Sequence, residues 1–470
     1  MRFSFARSFC SALPGALLGA LPSAPPRSFA RALLARSTLT AFMLAALPGW
    51  SSAQSLQSLY EAARAFDATY LAAKASAASA EFRVAQSDAL LRPTANATAA
   101  AGTAQTDPPN ISIKGTNSLS AALNARYPLF NRANRVTIEQ ARKGLITAQA
   151  DLDAAEQDLI LRVAQAYFDV LAAQDALATT RANKSAITEQ LASAKRNFEV
   201  GTATITDTRE AQARFDLATA QEIASENDLR TKRIALDTLV GQTGVVPKLL
   251  VVPVVLPAVV PANAEEWVTE ADQRHPAVRR SRVAMEVAQL ETAKARAAEM
   301  PTVDAVASVS SSEARGTLPS LNRSTGNTLN ANIGVQMNWP LYTGGATQNR
   351  IKETLILEDK ARFELEAARR GIGQGTRVAF FGVLSGQAQV KALEAAESSA
   401  KLALEATQLG YRVGVRVNLD VLNAQRDLFT TQRDLARARY DVLLGGLRLR
   451  QAAGQLSPSD VEAVNRLLVR

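Results

Sequence analysis

Leu119-Ser-Ala-Ala-Leu-Asn-Ala-Arg-Tyr-Pro-Leu-Phe130 runs straight into Asn131-Arg-Ala-Asn-Arg-Val136, and from Asn131 to Val200 there is no proline. In the first part Leu119, Ala121, Leu123, Ala125, Tyr127 and Leu129 alternate with Ser118, Ser120, Ala122, Asn124 and Arg126, the period of a strand with one apolar face. In the second, Ile138, Ala141, Leu145, Ala148, Leu152, Ala155 and Leu159 recur at steps of three and four, a coiled-coil seam. About 70 residues rising 1.5 Å each predict a rod on the order of 100 Å long. Alternation alone also fits an antiparallel sheet lying on a soluble core. A soluble core would need apolar helices to cover the sheet, whereas the neighbouring segments are very long and polar over much of their surface. The expected strand therefore turns its apolar face to lipid.

The plan occurs twice. Val200-Gly-Thr-Ala-Thr-Ile-Thr-Asp207 returns as Val413-Gly-Val-Arg-Val-Asn-Leu-Asp420, Tyr167-Phe168 as Phe380-Phe381, and Tyr127-Pro-Leu-Phe130 as Trp339-Pro-Leu-Tyr342. This is a tandem duplication of roughly 210 residues per half. In the second half Leu329, Ala331, Ile333, Val335, Met337, Trp339 and Leu341 alternate with Asn330, Asn332, Gly334, Gln336 and Asn338. Preceding strands at about 94–106 and 302–312 complete two hairpins, 94–130 and 302–342. Their turns fall at Asp107-Pro-Pro-Asn110 and between Arg315 and Gly326.

The expected organisation is a leader at 1–53, a first repeat at 54–248, a proline-broken connector at 249–262, a second repeat at 263–457 and a C-terminal tail at 458–470. Each repeat reads as helix, hairpin, long helix and return helix. The helices are expected near 58–91, 131–200 and 207–240, then 268–299, 347–411 and 418–453. Tyr127, Phe130, Trp339 and Tyr342 gather at one strand end, as an interfacial girdle would. Four strands of about ten residues can cross a bilayer, but a membrane barrel needs about eight or more and tolerates no open edge.

Residues 1–53 contain five arginines and no acid, then an apolar run from Thr38 to Leu47 and Ser51-Ser-Ala53, the form of a secretory signal cleaved near Ala53 and Gln54. The run is too short for a spanning helix, which needs about 20 apolar residues. The whole chain carries +9, and without the leader +4 remains, too little to argue for a nucleic-acid partner. Aromatic residues make up only 5%, unlike several compact aromatic-cored domains. The one cysteine, Cys10, lies in the leader. The one histidine, His275, precedes Pro276 at an expected helix start, where a structural role suits it. No catalytic set, metal-ligand spacing or cofactor motif is visible, so no enzyme activity is expected.

Tyr127-Pro-Leu-Phe130, Trp339-Pro-Leu-Tyr-Thr-Gly-Gly345, the paired Val-Gly turns and Ala452-Ala-Gly-Gln-Leu456 stand in an order that resembles the TolC family of outer-membrane efflux and secretion ducts. The resemblance implies an α+β membrane protein: a trimeric 12-stranded β-barrel, four strands per protomer, continued by a long α-helical coiled-coil barrel in the periplasm. It implies a homotrimer in outer-membrane lipid, a periplasmic adaptor, and an inner-membrane ABC or proton-driven pump. The Gly-Tyr-Arg-Val-Gly turn at 410–414, with no lipid-attachment cysteine, is closer to the type I protein-secretion members.

The same resemblance makes the turns at Gly201 and Gly414 the coil tips and the periplasmic entrance. Tyr411 and Arg416 become a latch with Thr206 and Asp207 as partners, and Asp420 and Asn423 line the entrance. Asn423 stands where the family has a second aspartate, so one ring of carboxylates instead of two is expected, with weaker cation selectivity. The residues themselves leave other readings open. Asp207 can be a helix N-cap with Glu210 completing a capping box, and Asp420 a solvated surface acid. The chain as a whole can be a periplasmic coiled-coil adaptor or spacer, a reading that leaves both amphipathic hairpins without purpose.

Overall fold

The computed structural model describes residues 53–104, 116–202, 204–251, 254, 256–315 and 326–469. The expected leader up to Ser52, with Cys10, lies outside the described residues, as do the hairpin turns at 107–110 and 316–325. The unit from Ala53 onward is described by itself. Its first half contains α1 (Leu56–Phe66), α2 (Ala68–Asp88), β1 (Thr94–Ala104), β2 (Thr116–Phe130), α3 (Arg132–Glu199) and α4 (Ile205–Val240). Its second half contains α5 (Ala264–Arg274), α6 (Pro276–Ala297), β3 (Thr302–Arg315), β4 (Gly326–Asn338), α7 (Ala346–Arg412), α8 (Asn418–Ala452) and α9 (Pro458–Asn465).

The two long helices have 68 and 67 residues, each about 100 Å of rod at 1.5 Å per residue. Each lies beside its return helix, α3 with α4 and α7 with α8, while α3 also runs along α8. The largest core cluster sits midway along α3. There Leu159, Ile160, Val163, Tyr167, Phe168 and Leu171 meet α1, the ends of α4 and α8, and α9. Tyr167 is fully buried and its hydroxyl donates to the Lys248 carbonyl at 2.8 Å. Phe168 stacks on Tyr440 of α8 with ring centres 5.8 Å apart. Toward the tips the buried residues thin to small clusters such as Leu191, Ala194 and Ala211. The rods are thus anchored at mid-length and lightly packed at their ends, where local opening is cheapest.

Three expectations need correction. The helix expected at 58–91 is broken at Asp67, whose backbone is extended (ψ 114°). Its carboxylate accepts from the Tyr70 amide at 2.8 Å, capping α2, and from Arg162 of α3 at 2.9 and 3.1 Å. The Arg162 hydrogen bond, with help from the backbone amides, holds Asp67 below the usual carboxylate range. The helix expected at 268–299 is broken at His275, because the residue before a proline is pushed out of helical geometry. The segment at 458–470, expected as a tail, forms α9 and then a short ribbon: Val469 N–H donates to the Leu249 carbonyl at 2.8 Å and Val251 N–H to the Leu467 carbonyl at 2.9 Å.

The duplication reaches backbone detail. Gly241 (φ 71°) ends α4 and Gly454 (φ 70°) ends α8, each in the left-handed region that favours glycine. Both press on the break between the short helices of their own half. A Cβ on Gly241 would meet the Phe66 ring at 2.5 Å, and one on Gly454 would meet the His275 backbone at 2.5 Å.

His275 caps α6, its Nδ1 accepting from the Ala277 amide at 3.1 Å, which requires Nδ1 to be unprotonated. Burial, assisted by the charge of Arg280, lowers its pKa. The unfolded chain then takes up the proton first, so stability is lost as pH falls from about 6.5 toward the lowered folded value. His275→Asn keeps an acceptor for the cap and removes the titration. Thermal unfolding between pH 7.5 and 5 is expected to fall more steeply for the parent than for this variant; parallel curves would show that His275 does not titrate on unfolding.

Candidate functional site

The two faces of the sheet decide what it can border. Its strand order is β1-β2-β3-β4, all neighbours antiparallel. The register aligns Ala97 with Leu123, Leu123 with Val309 and Val309 with Ala331, so the odd-numbered residues of all four strands share one face. That face carries Leu119, Leu123, Val309, Leu329, Ile333, Val335 and Met337, all exposed, Ile333 by 86%. The opposite face carries Asn96, Thr98, Asn124, Ser308, Ser310, Asn330, Asn332 and Gln336. A one-residue slip in any strand would mix the two sets.

A register shift between Pro128 and Phe130 sets Phe130 opposite Val303, which returns it to the apolar face with Tyr127. Strand β4 ends at Asn338, so Trp339 and Tyr342, 55% and 87% exposed, lie just past it, and the Trp339 indole donates to the Glu299 carbonyl at 3.2 Å. All four aromatics gather at the helix-facing end of the sheet. Among the described residues the outer edges of β1 and β4 have no strand partner within the protomer. Exposed ladder edges of this length are templates for another chain.

At the far ends of the rods the two tips are built alike. After α3, Gly201 (φ 80°) lets its N–H donate to the Phe198 carbonyl at 3.0 Å while Thr202 donates to Asn197 at 2.8 Å. After α7, Gly414 (φ 80°) donates to Tyr411 at 3.1 Å while Val415 donates to Gly410 at 2.9 Å. Both are Schellman motifs, which need a residue at positive φ and so explain glycine at both places.

The four expected latch residues do not meet within one protomer. Tyr411 Oη accepts from Asn197 Nδ2 at 3.4 Å, tying α7 to α3. Arg416 reaches Asp420 one turn on, at 3.5 Å. Asp207 accepts from the Thr204 amide at 3.0 Å and the Thr204 hydroxyl at 2.8 Å, while its own amide donates back to Thr204 at 3.2 Å. The N-cap is therefore Thr204 and Asp207 closes the box, which corrects the reading with Asp207 as cap and Glu210 as partner. Thr206 is exposed on the first turn of α4.

Contacts between the two coil pairs engage Asn423, which the sequence reading placed at the entrance, and supply further residues that it missed. Arg214 of α4 donates to Asn423 of α8 at 3.3 Å, and Gln190 of α3 bonds Asn418 of α8. Nearer the middle, Tyr440 donates to Asp175 at 2.6 Å, and burial pushes Asp175 above the usual carboxylate range. No local motif marks these residues. The partners lie some 200 or more positions apart and are matched only by how the two coils lie together.

The sequence profile of the family described as outer membrane efflux protein matches the chain twice, over residues 59–242 and 267–455. The outer membrane protein TolC of Vibrio cholerae serotype O1 is 34% identical over 443 residues, covering 92% of this chain and 98% of that protein. The alkaline protease secretion protein AprF of Pseudomonas aeruginosa is 32% identical over 360 residues, covering 74% of this chain and 72% of that protein. Among solved structures, the outer membrane protein VceC of Vibrio cholerae superposes with a TM-score of 0.71 at 20% identity, covering 85% of this chain and 96% of that one.

Proposed function

The chain belongs to the outer membrane efflux protein family, and from that premise we propose that three copies close into one duct, each giving a third of the wall. It is an outer-membrane channel for efflux or secretion with its helical part in the periplasm, and it is not an enzyme. The observation that carries the trimer is the sheet itself: four strands with an apolar and a polar face and two unpaired edges. Three copies give twelve strands, an even number above the minimum for closure, and remove every edge. The apolar faces then meet lipid and the polar faces line the lumen.

The tips form the entrance in this reading. Tyr411 and Arg416, with Thr206 and Asp207 as their partners on the facing coils, hold it shut, and Asp420 with Asn423 lines it. Oδ1 of Asp207 is left over from the capping box and can still accept from such a partner. A periplasmic adaptor docks on the helical part and an inner-membrane pump supplies the energy. The relative named for alkaline protease secretion favours a protein-secretion role.

Cysteines placed on the two edges test closure. In a Cys10→Ser background, Ala99→Cys on β1 is combined in turn with Leu329→Cys, Ala331→Cys or Ile333→Cys on β4. At least one combination is expected to give covalent dimers and trimers in membranes under oxidation, with neither single variant doing so. Monomers throughout would contradict closure by three copies.

A further inference from the structure

The polar face of the sheet is almost uncharged. Across its even-numbered positions, among the described residues, only Arg126 of β2 and Asp304 of β3 carry charge. They pair with each other across the seam where the two repeats join, Nη2 to Oδ2 at 2.6 Å. Asp304 is 7% exposed, whereas the Arg126 side chain is 61% exposed. Thr94 stands beside Arg126 and Gln336 beside Asp304 in the ladders, neutral on both sides. The pair lies at the helix-facing end of the strands, two residues before the register shift at Pro128.

We propose that Arg126 and Asp304 form a charge-neutral collar at the helix-facing end of the barrel, and that Asp304 keeps this stretch of the duct indifferent to the charge of its cargo by tying back and cancelling Arg126. This rests on the three-copy duct of the preceding section. Twelve strands about 4.8 Å apart and tilted by about 40° enclose a backbone diameter of roughly 24 Å. An arginine reaches about 6 Å from its Cα. Three released guanidinium groups would therefore stand within about one Debye length of any ion crossing the ring. With Asp304 present each is held flat to the wall and discharged, and the rest of the wall is uncharged: serine, threonine, asparagine and glutamine interspersed with alanine, glycine and Val306. Such a surface is wetted without binding either sign of charge, which suits a conduit for varied solutes. Removing Asp304 leaves an exposed, uncompensated guanidinium on the lumen face, whereas removing Arg126 leaves the Asp304 carboxylate unpaired within the wall.

The test is block of current through the reconstituted protein by multivalent ions added on the barrel side, where the collar is reached without passing the tips. Asp304→Asn is expected to become at least about tenfold more sensitive to inorganic tripolyphosphate than the parent, at low salt and less so at high salt. Arg126→Gln in the same chain is expected to restore the parent's sensitivity. Arg126→Glu gives the mirror result, sensitivity to hexamminecobalt(III), and decides the matter should Asp304→Asn fail to assemble. A conducting parent with conducting variants whose block is unchanged overturns the collar alone. A parent that never conducts overturns the duct on which the collar rests.

Discussion

Gly454→Ala is expected to destabilise the folded protein by about 3 kcal/mol, a large loss against the roughly 5–15 kcal/mol that holds a typical protein folded. Two effects combine. Gly454 has φ 70°, where a Cβ costs roughly 1–2 kcal/mol. That Cβ would also fall 2.5 Å from His275 Cα, 2.6 Å from His275 N and 2.8 Å from the Arg274 carbonyl carbon. These are backbone atoms at the break between α5 and α6, so relief requires moving a helix, and forced overpacking typically costs about 1–3 kcal/mol more. Gly241→Ala is the internal control. Its φ is 71°, but its new Cβ would meet only the ring of Phe66, which is 56% exposed and can swing outward. The duplicate position should therefore cost only the backbone strain, about 1–2 kcal/mol. Thermal or denaturant unfolding of the two variants side by side reads the difference. Equal losses would mean that the α5–α6 break yields as readily as a surface ring.

The second large effect is expected at the entrance. Tyr411→Phe combined with Arg416→Ser removes two polar contacts per protomer, six per trimer. Each exposed contact is worth only about 0–1 kcal/mol. At about 0.5 kcal/mol apiece, six sum to about 3 kcal/mol, a factor on the order of 100 in the ratio of closed to open forms. The protomer has a lightly packed tip that such a change can move, since its buried clusters there hold only three residues each, Ile187, Ala218 and Leu422 in one and Leu191, Ala194 and Ala211 in the other, with Phe215 against both. The double variant is expected to conduct in steps several times larger than the parent. The bond from Asn197 to Tyr411 and the pair of Arg416 with Asp420 lie within one protomer. If Asn197→Ala enlarges the steps as much as Tyr411→Phe does, the tyrosine acts through its own protomer. Unchanged steps in the double variant would remove the latch and leave the channel standing.

The strands and rods were legible because they are repetitive. Leu119 to Leu129 and Leu329 to Met337 announce a two-residue period, and Ile138 to Leu159 a heptad seam, neither of which needs a distant partner to be read; the alternation expected on to Leu341 outruns β4, which ends at Asn338. The breaks at Asp67 and His275 were harder. Asp67 ends a helix in alanine-rich sequence because Arg162, 95 residues away, holds its carboxylate. Pro276 marks the second break, and the helix start expected at His275 is the N-cap of α6, so it is the single span 268–299 that the structure divides. Thr204-Ile-Thr-Asp207 has the spacing of a capping box, so the N-cap at Thr204 is legible three residues before the expected one at Asp207. The cross-coil pairs Arg214–Asn423 and Gln190–Asn418 were not readable, because helix spacing fixes which residues share a face but not which face of another coil they meet. Asn423, expected to line the entrance in place of an acid, turns out to be engaged by Arg214. The ribbon of 249–251 with 467–469 escaped for a similar reason: single bridges leave no alternating pattern.

A chain that makes a continuous aqueous duct through the outer membrane must pass ions, and planar-bilayer recording of the purified, detergent-extracted parent reads this. Small, stable, uniform current steps are expected from a lumen walled by the polar face of the sheet and narrowed at the tips. A folded preparation that inserts into the bilayer and never passes current would contradict the duct.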